Sequence, residues 1–521
     1  MKTAARVTGI RPRDWHRLGY ATSLAIVGLV SLLLVIAAAR KYPGDRQVFV
    51  AFILAYVSMA VLAVPKPRSY GYSFLAAFLF LGFCAKTVAY FALGIALVEP
   101  TGAFNGSGTA WDAALVPATV GGAAVIIVRV IHLAVFRKRT GVTTPVGVHA
   151  PRWYVTRRIP ILVVSGGILL ALSAVNLAVA FYQVGVSPKV VLPFHLSAPV
   201  EWLFVIGFAM WAATLVGWET GVQSTRLGVI LLIPLAEAVV SLVTLSRAAY
   251  LFRALPYLAV VSEFPAFFRA QLTRRARTVV AALMVLGLVV SLGAVSFLRV
   301  AVYPLVSQAP PSPISTATPT VPTVTPTVTA RPTATSGLQG GLQDPRLRFV
   351  GRELSLLIVG RWIGIEGTMS VSSHSGLSLN FFERALRENP ATGESAIYQH
   401  ISGASYQTTS NYVFLTTPGP IAVLYYSGSL IVVFAGAALL TLLLISLEVV
   451  ASNLLRNSFT VSIAALAVAN AIAQMDFPYL FMVFVVEQVV AVLALAMLSR
   501  NSFRKAGDPN LGRIGSSAER T

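Results

Sequence analysis

Three arginines in this sequence have the side chain and the spacing to bind a phosphate group. Arg247 follows Ser246 at the end of an apolar run, in the stretch SLVTLSRAAY. Arg352 and Arg361 are separated by about two and a half helical turns, so a helix would place both on one face. A guanidinium keeps its charge and offers a planar fork of donors, which suits a phosphate or diphosphate. The alternative for all three is snorkelling to a membrane interface without a ligand.

His374 and Glu366, which follow these arginines in the sequence, are candidates for proton transfer. His374 stands among serines and precedes Gly376, in a segment predicted as a loop. Since histidine can be neutral near pH 7, it can accept a proton from a hydroxyl, and Glu366 offers a carboxylate for the same purpose. A lone histidine on a loop more often has no catalytic role, and His400 is a weaker rival.

Ionisable residues also occur inside long apolar runs. Lys86 and Glu237 stand near the middle of their runs and are predicted to make polar contacts within the membrane, with each other as one option. Arg129 stands near the end of its run and is expected to snorkel. Charges at such depth usually face the interior of a bundle or a cavity, and structural pairing is the simpler alternative to function.

Several motifs are missing from the sequence. It contains no Gly-x-x-x-x-Gly-Lys-Ser/Thr loop, which disfavours ATP-driven pumping. It also contains no His-Glu-x-x-His and no paired acidic metal site, which disfavours a metalloprotease. The only cysteine, Cys84, lies in an apolar run, so neither a disulfide framework nor a cysteine metal site is expected. We therefore predict neither a metal nor a cofactor.

The composition identifies the elements that must position these residues. Of 521 residues, 56% are hydrophobic and 11% are charged, whereas soluble domains have about 25% charged residues. Apolar runs of about 20 residues, enough to cross a bilayer, recur along the chain. We predict an all-α polytopic membrane protein with about twelve transmembrane helices. These helices are predicted at residues 18–39, 48–65, 71–98, 113–136, 159–183, 199–218, 227–246, 249–268, 278–300, 421–446, 459–475 and 478–498.

The positive charge is distributed as in a membrane protein. Most lysines and arginines of this chain, whose net charge is +21, stand in short clusters between apolar runs. Such clusters orient helices by the positive-inside rule and attract anionic headgroups, so nucleic acid is not an expected partner. The pattern predicts a multi-pass inner (cytoplasmic) membrane protein with both termini in the cytoplasm and residues 301–420 outside.

This topology divides the chain into three parts. Residues 1–300 form a bundle of nine helices, residues 301–420 form an extracytoplasmic loop, and residues 421–521 form helices ten to twelve with a cytoplasmic tail. Within the loop, residues 308–338 are rich in Pro and Thr, which predicts an extended spacer or a disordered insertion without a role. Residues 345–370 place apolar residues near helical spacing among arginines, which predicts an amphipathic helix at the outer interface.

The loop motifs resemble those of a known family. A long outside loop between late helices, preceded by Ser-Arg at Arg247 and carrying Arg352, Arg361 and His374, resembles the bacterial O-antigen polymerase and ligase superfamily. The stretches GRWIGIEGTMSVSSHSG and PGPIAVLYYSGS are similar to those of oligosaccharide repeat-unit polymerases. The Arg-x10-Gly spacing of some members is absent, because Ile363 stands at that distance from Arg352.

The resemblance implies a GT-C-type bundle and a metal-independent glycosyltransferase. Such an enzyme passes a growing glycan from a polyprenyl-diphosphate carrier, such as undecaprenyl diphosphate, to the next repeat unit for surface polysaccharide in the cell envelope. It implies Arg247, Arg352 and Arg361 as the diphosphate ligands and His374, with Glu366 as the other candidate, as the base. Its implied partners are the lipid-linked glycan, membrane lipids, and flippase and chain-length regulator proteins. The alternatives are an O-antigen-type glycan ligase and a transporter or flippase of lipid-linked oligosaccharide.

Overall fold

The structure is a computed structural model, and it describes residues 12–63, 69–97, 99–136, 150–183, 197–222, 236–264, 273–302, 362–388, 396–403 and 416–500. All regular elements in these ranges are helices. The predicted Pro/Thr spacer 308–338 lies outside these ranges, as do residues 345–361 of the predicted amphipathic helix.

The helices fall into a membrane bundle and four short segments between its helices. The bundle helices up to residue 302 are α1 (Pro12–Lys41), α2 (Arg46–Val61), α3 (Tyr70–Leu93), α4 (Gly108–Phe136), α5 (Arg152–Thr156, one short turn), α6 (Arg158–Val179), α7 (Pro199–Gly221), α8 (Arg247–Glu263) and α9 (Arg274–Val302). The short helices are α10 (Ile365–Ser372), α11 (Leu379–Leu386), α12 (Ile397–Ser402) and α13 (Pro420–Tyr425). The last helices are α14 (Leu430–Leu455), α15 (Ser458–Ala473) and α16 (Pro478–Arg500), and residues 236–243 form a further helical stretch.

The bundle has the character of a membrane protein. Seven helices of the described ranges are long and apolar enough to cross a membrane, namely α3, α4, α6, α7, α9, α14 and α16, and α2 and α15 are shorter apolar helices. These helices confirm the predicted all-α multi-pass membrane protein. The count of twelve, the GT-C-type arrangement and the orientation of the termini stay predictions.

The centre of the bundle is formed by α3, α4, α14 and α15: α14 packs against the other three, and α15 also packs against α3. Helix α15 contributes a nearly continuous series of buried small and aliphatic residues, so it is enclosed on all sides. Helices α6 and α9, by contrast, bury only 11% and 12% of their most apolar windows. Their sides therefore face the lipid.

One predicted helix boundary is wrong. The sequence predicts a tenth helix over 421–446, but the structure has α13 followed by a turn and then α14, which continues to Leu455. The turn contains Gly428 at φ +67°, a conformation that side chains with a Cβ disfavour and that glycine adopts readily. This glycine ends the helical path and allows the chain to change direction.

The bundle has two ends, called here the loop end and the tail end. The loop end is where α3 ends and α4 begins, because segments from 362–403 pack there: Gly102 N donates to Ser402 O (2.9 Å) and Ser370 Oγ to Pro100 O (3.2 Å). The tail end is the opposite end, where α3 begins at Tyr70. The turn from α15 to α16 lies at the loop end, since Gly419 N donates to Met475 O (3.1 Å).

Candidate functional site

Helix α10 is inserted among the bundle helices at the loop end. Its residues Ile365 to Val371 are all buried, and it packs against α4 and α13. This differs from the predicted amphipathic helix over 345–370, which would lie at the membrane interface with one face in water. The described part of that segment is instead an internal wall of the bundle.

Glycines allow the backbone of this segment to enter the bundle. A Cβ on Gly82 would collide with the backbone carbonyl of Ile363. A Cβ on Gly364 would collide with the backbone carbonyl of Gly82. A Cβ on Gly367 would collide with the carbonyl of Pro418. Since backbone atoms cannot yield as side chains can, only glycine permits this approach. Gly82 lies in a π-helical stretch of α3, Phe80–Ala85, and such stretches are frequent at functional sites.

A buried ion pair fastens α10 to α3. Lys86 Nζ lies 2.5 Å from Glu366 Oε1, and the two side chains are 1% and 3% exposed. Lys86 Nζ also donates to the carbonyl of Trp362 at 2.7 Å. Because Lys86 is enclosed with Glu366, the candidate base Glu366 is an ion-pair partner in this structure, and its role as a base stays a prediction.

The pairing of Lys86 with Glu237 is wrong. Glu237 Oε2 instead accepts from Arg253 Nη1 at 2.8 Å, in a second buried ion pair. Arg253 also donates to the carbonyls of Phe204 and Val205 (the latter at 3.1 Å), in the π-helical stretch Leu203–Gly207 of α7. Lys86 and Glu237 thus each make a buried polar contact with a partner of their own.

His374 lies on the turn after α10 and is half-buried. Its ring centroid is 5.5 Å from that of Phe381, at an interplanar angle of 32°. Phe381 in turn meets the edge of Tyr426 at 5.5 Å. Glu366 points into the bundle from the start of α10, whereas His374 follows the helix, so the structure does not join the two candidate bases in one cluster.

Asp476 is a candidate site residue that the sequence reasoning missed. It lies in the short turn between α15 and α16, and its Oδ2 is buried without a hydrogen-bond partner in the described part of the chain. Burial and the neighbouring carboxylate of Glu388 raise the pKa of Asp476 to about 8. A carboxyl group that titrates near neutral pH can accept a proton from a hydroxyl. The available signal was the position of a single acid in the turn AQMDFPY between two apolar runs.

The surroundings of Asp476 come from the loop segments. Glu388 follows α11, its Oε1 accepts from Ile397 N at 2.7 Å, and burial raises its pKa. Burial, together with the carboxylates of Asp476 and Glu388, raises the pKa of Tyr426, whose ring ends the aromatic row that begins at His374. The loop end therefore combines a histidine, aromatic rings and two carboxyl groups from separate parts of the chain.

The structure does not describe the side chains of the three predicted diphosphate ligands. Arg247 is the first residue of α8. Arg352 and Arg361 lie outside the described ranges. Their binding roles stay predictions.

A second group of charges lies at the tail end. Glu448 accepts from the backbone N–H groups of Tyr70 and Gly71, both at 2.8 Å, and so caps the start of α3. Arg129 is 1% exposed and lies over the ring of Tyr72, 4.7 Å from its centroid, which corrects the expectation that it snorkels. These contacts join α3, α4 and α14 and are sufficiently explained as structural.

Within the described ranges, no three His, Cys, Asp or Glu side chains converge on a position that could hold a metal ion. Comparisons with protein-family models, with curated proteins and with solved structures give no match. The family resemblance therefore depends on the sequence motifs alone.

Proposed function

We propose that the chain is a membrane glycosyltransferase that polymerises polyprenyl-diphosphate-linked repeat units at the loop end of its bundle. The observation that carries the proposal is the entry of the loop segment into the bundle. The turn that follows this entry packs His374 against Phe381, and the carboxyl groups of Asp476 and Glu388 lie at the same end of the bundle. Proton acceptors at this end of a membrane bundle suit a substrate that is anchored by a lipid.

The proposed reaction follows from the groups available. An acceptor hydroxyl forms a bond to the anomeric carbon of the donor while the bond from that carbon to the diphosphate oxygen breaks. The hydroxyl proton passes to Asp476 or His374, and the electron pair leaves with the diphosphate. Arg247, Arg352 and Arg361 would offset the negative charge on the leaving group. The leaving group is already activated, so the reaction needs no nucleotide sugar.

Burial of the loop segment supports this chemistry in a second way. Residues Ile365 to Val371 fill space between bundle helices, so water is excluded from this side of the loop end. A site closed to water favours transfer to a sugar hydroxyl over hydrolysis. In this proposal the loop end faces outward from the cytoplasmic membrane.

The test is reconstitution of the purified chain with lipid-linked repeat units, followed by gel electrophoresis of the products. A ladder of polymers is expected for the native chain, and its loss is expected for Arg247→Ala, Arg361→Ala and Asp476→Asn. Arg387→Ala is the matched control, since its exposed pair with Glu383 lies on the surface of α11. Polymers of normal length from both arginine variants would overturn the site assignment, and no ladder from the native chain would overturn the function.

A transporter of lipid-linked oligosaccharide is the second candidate, because two of the buried ion pairs lie at π-helical stretches. Lys86 directly follows Phe80–Ala85, and Arg253 binds carbonyls of Leu203–Gly207. Paired charges at irregular membrane helices are typical of transport pathways. In a deletion strain, single repeat units accumulating outside favour the polymerase, and units retained inside favour the transporter. A ligase would extend a different acceptor in the reconstituted assay.

A further inference from the structure

Helix α11 has an exposed apolar side that no described residue covers. Leu379 is 63% exposed and Leu386 is 42% exposed. The two leucines are two turns apart and therefore lie on the same side of the helix. Two exposed leucines on one side of a helix form a small apolar surface that suits an apolar partner.

The other sides of α11 are already assigned. Ala385 is buried, and Phe381 packs against Tyr426, so this side faces the protein. The polar side carries four exposed residues: Asn380, Glu383, Arg384 and Arg387. The helix thus has a protein-facing side, an apolar side and a polar side, an arrangement typical of a helix that lies in a membrane interface.

The position of α11 identifies the apolar partner. The helix packs against α16, which starts at the loop end with Pro478 and is long and apolar enough to cross a membrane. The first turns of α16 expose Tyr479 (58%) and Met482 (56%) to the surroundings of the bundle. The leucines of α11 therefore adjoin a surface that faces lipid.

The charges of α11 match phospholipid headgroups. Arg384 lies over the ring of Phe381 at 5.2 Å, and Arg387 donates to Glu383 at 2.6 Å. Both guanidinium groups are on long side chains at the polar side, where they reach the level of lipid phosphates while the leucines reach the acyl chains.

We propose that α11 is an interfacial helix that docks on the phospholipids of the leaflet at the loop end. Leu379 and Leu386 contact the acyl region, and Arg384 contacts headgroup phosphates, while Arg387 stays paired with Glu383. This inference does not depend on the glycosyltransferase proposal. It has a consequence for the site, however, because Phe381 of the same helix supports the ring of His374. Lipid contact thereby fixes one wall of the candidate site.

The test uses nitroxide labels on single cysteines in the full chain. Cys84 is the only native cysteine and is buried, so a Cys84→Ala background leaves one reactive position per variant. Leu379→Cys and Leu386→Cys probe the apolar side, and Asn380→Cys is the matched control on the polar side. Each variant is placed in nanodiscs of phosphatidylcholine with phosphatidylglycerol, and collision rates with oxygen and with a water-soluble nickel chelate are compared.

At positions 379 and 386 the ratio of oxygen to nickel collisions should exceed unity, and at position 380 it should fall below unity. Equal ratios at the three positions would overturn the proposal. Broadening of the spectra by spin–spin coupling at 379 or 386 would also overturn it, since a second copy of the chain would then cover the leucines. Leu386→Trp and Asn380→Trp give a second readout: lipids brominated in their acyl chains should quench fluorescence beyond that of the seven native tryptophans only in Leu386→Trp.

Discussion

Lys86 of α3 and Glu366 of α10 form an ion pair of 2.5 Å that joins a membrane helix to the loop segment far along the chain. Both side chains are nearly inaccessible, and Lys86 also binds the carbonyl that precedes α10 at Trp362. Removing two charges from water is costly, and their attraction offsets this cost only while both partners are present. The pair therefore couples the folding of the loop segment to that of α3.

Replacement of Lys86 alone should destabilise the protein strongly. Lys86→Met leaves the carboxylate of Glu366 buried without a cation, which costs about 3–5 kcal/mol in comparable buried pairs. The double variant Lys86→Met with Glu366→Leu should recover most of this loss, since it removes both charges. Thermal unfolding in nanodiscs measures the difference.

The exposed pair Arg387–Glu383 supplies the control for this comparison. Its side chains are 78% and 58% exposed, so the ion pair is screened by water and contributes little. Arg387→Ala should leave the unfolding temperature nearly unchanged. If Lys86→Met also left the unfolding temperature unchanged, the stability of the loop segment would not depend on the buried pair.

Close backbone contact predicts an intolerance of side chains at Gly82. Gly82→Ala places a methyl group against the carbonyl of Ile363, and overpacking of this kind costs about 1–3 kcal/mol. Gly166→Ala is the matched control, because its added Cβ meets no atom and alanine favours the helix α6. Chemical denaturation should therefore show a lower free energy of unfolding for Gly82→Ala and a slightly higher one for Gly166→Ala. Equal stability of both would contradict the docking of Ile363 on α3.

The membrane helices could be predicted from the sequence because their signal is local. The runs at 71–98 and 113–136 are apolar over the length that a bilayer requires, and α3 and α4 overlap most of each run. The helix predicted over 421–446 fails at Gly428, where one residue with positive φ redirects the chain. The presence of a membrane helix can be predicted from the local apolar composition. Where the helix begins and ends depends on single residues such as Gly428.

The site could be predicted only in part because its contacts are not local. The motif around Glu366 and His374 was recognised, but the burial of α10 depends on a glycine in α3, Gly82, and on Pro418. Lys86 has apolar neighbours in sequence and gives no sign of which carboxylate it meets. Asp476 has no distinguishing motif in sequence, and its raised pKa depends on burial in the fold and on Glu388 from another segment.

The titration of Asp476 predicts a pH dependence of both stability and rate. Its pKa is about 8 in the folded protein against an ordinary value of 3.8, so the folded state holds a proton that the unfolded state has lost. Stability should then fall as pH rises from about 4 through 8, and Asp476→Asn should flatten this fall. If Asp476 is the base, the native transfer rate rises with pH up to about 8.

Glu388→Gln tests the cause of that shift. Without the carboxylate charge of Glu388, the pKa of Asp476 should be lower, and the rate profile should move to lower pH while the maximal rate is retained. Stopped assays of polymer formation across pH measure both effects. An unchanged profile in Glu388→Gln would show that burial alone sets the pKa, and an active Asp476→Asn would remove Asp476 from the chemistry.

The helix cap that Glu448 provides should contribute more to the free energy of unfolding than a cap at the surface does. Glu448 of α14 is 2% exposed and accepts from two N–H groups at the start of α3, so Glu448→Ala leaves both buried donors unpaired, at about 1–3 kcal/mol each. Glu448→Gln keeps one carbonyl oxygen as an acceptor, so it should lose less stability than Glu448→Ala. Asp45 caps α2 through Gln47 N at 2.7 Å in an exposed position, where water can replace it, so Asp45→Ala should cost about 0.5–2 kcal/mol. Unfolding temperatures should therefore decrease in the order Asp45→Ala, Glu448→Gln, Glu448→Ala, and a reversed order would mean that water reaches the start of α3.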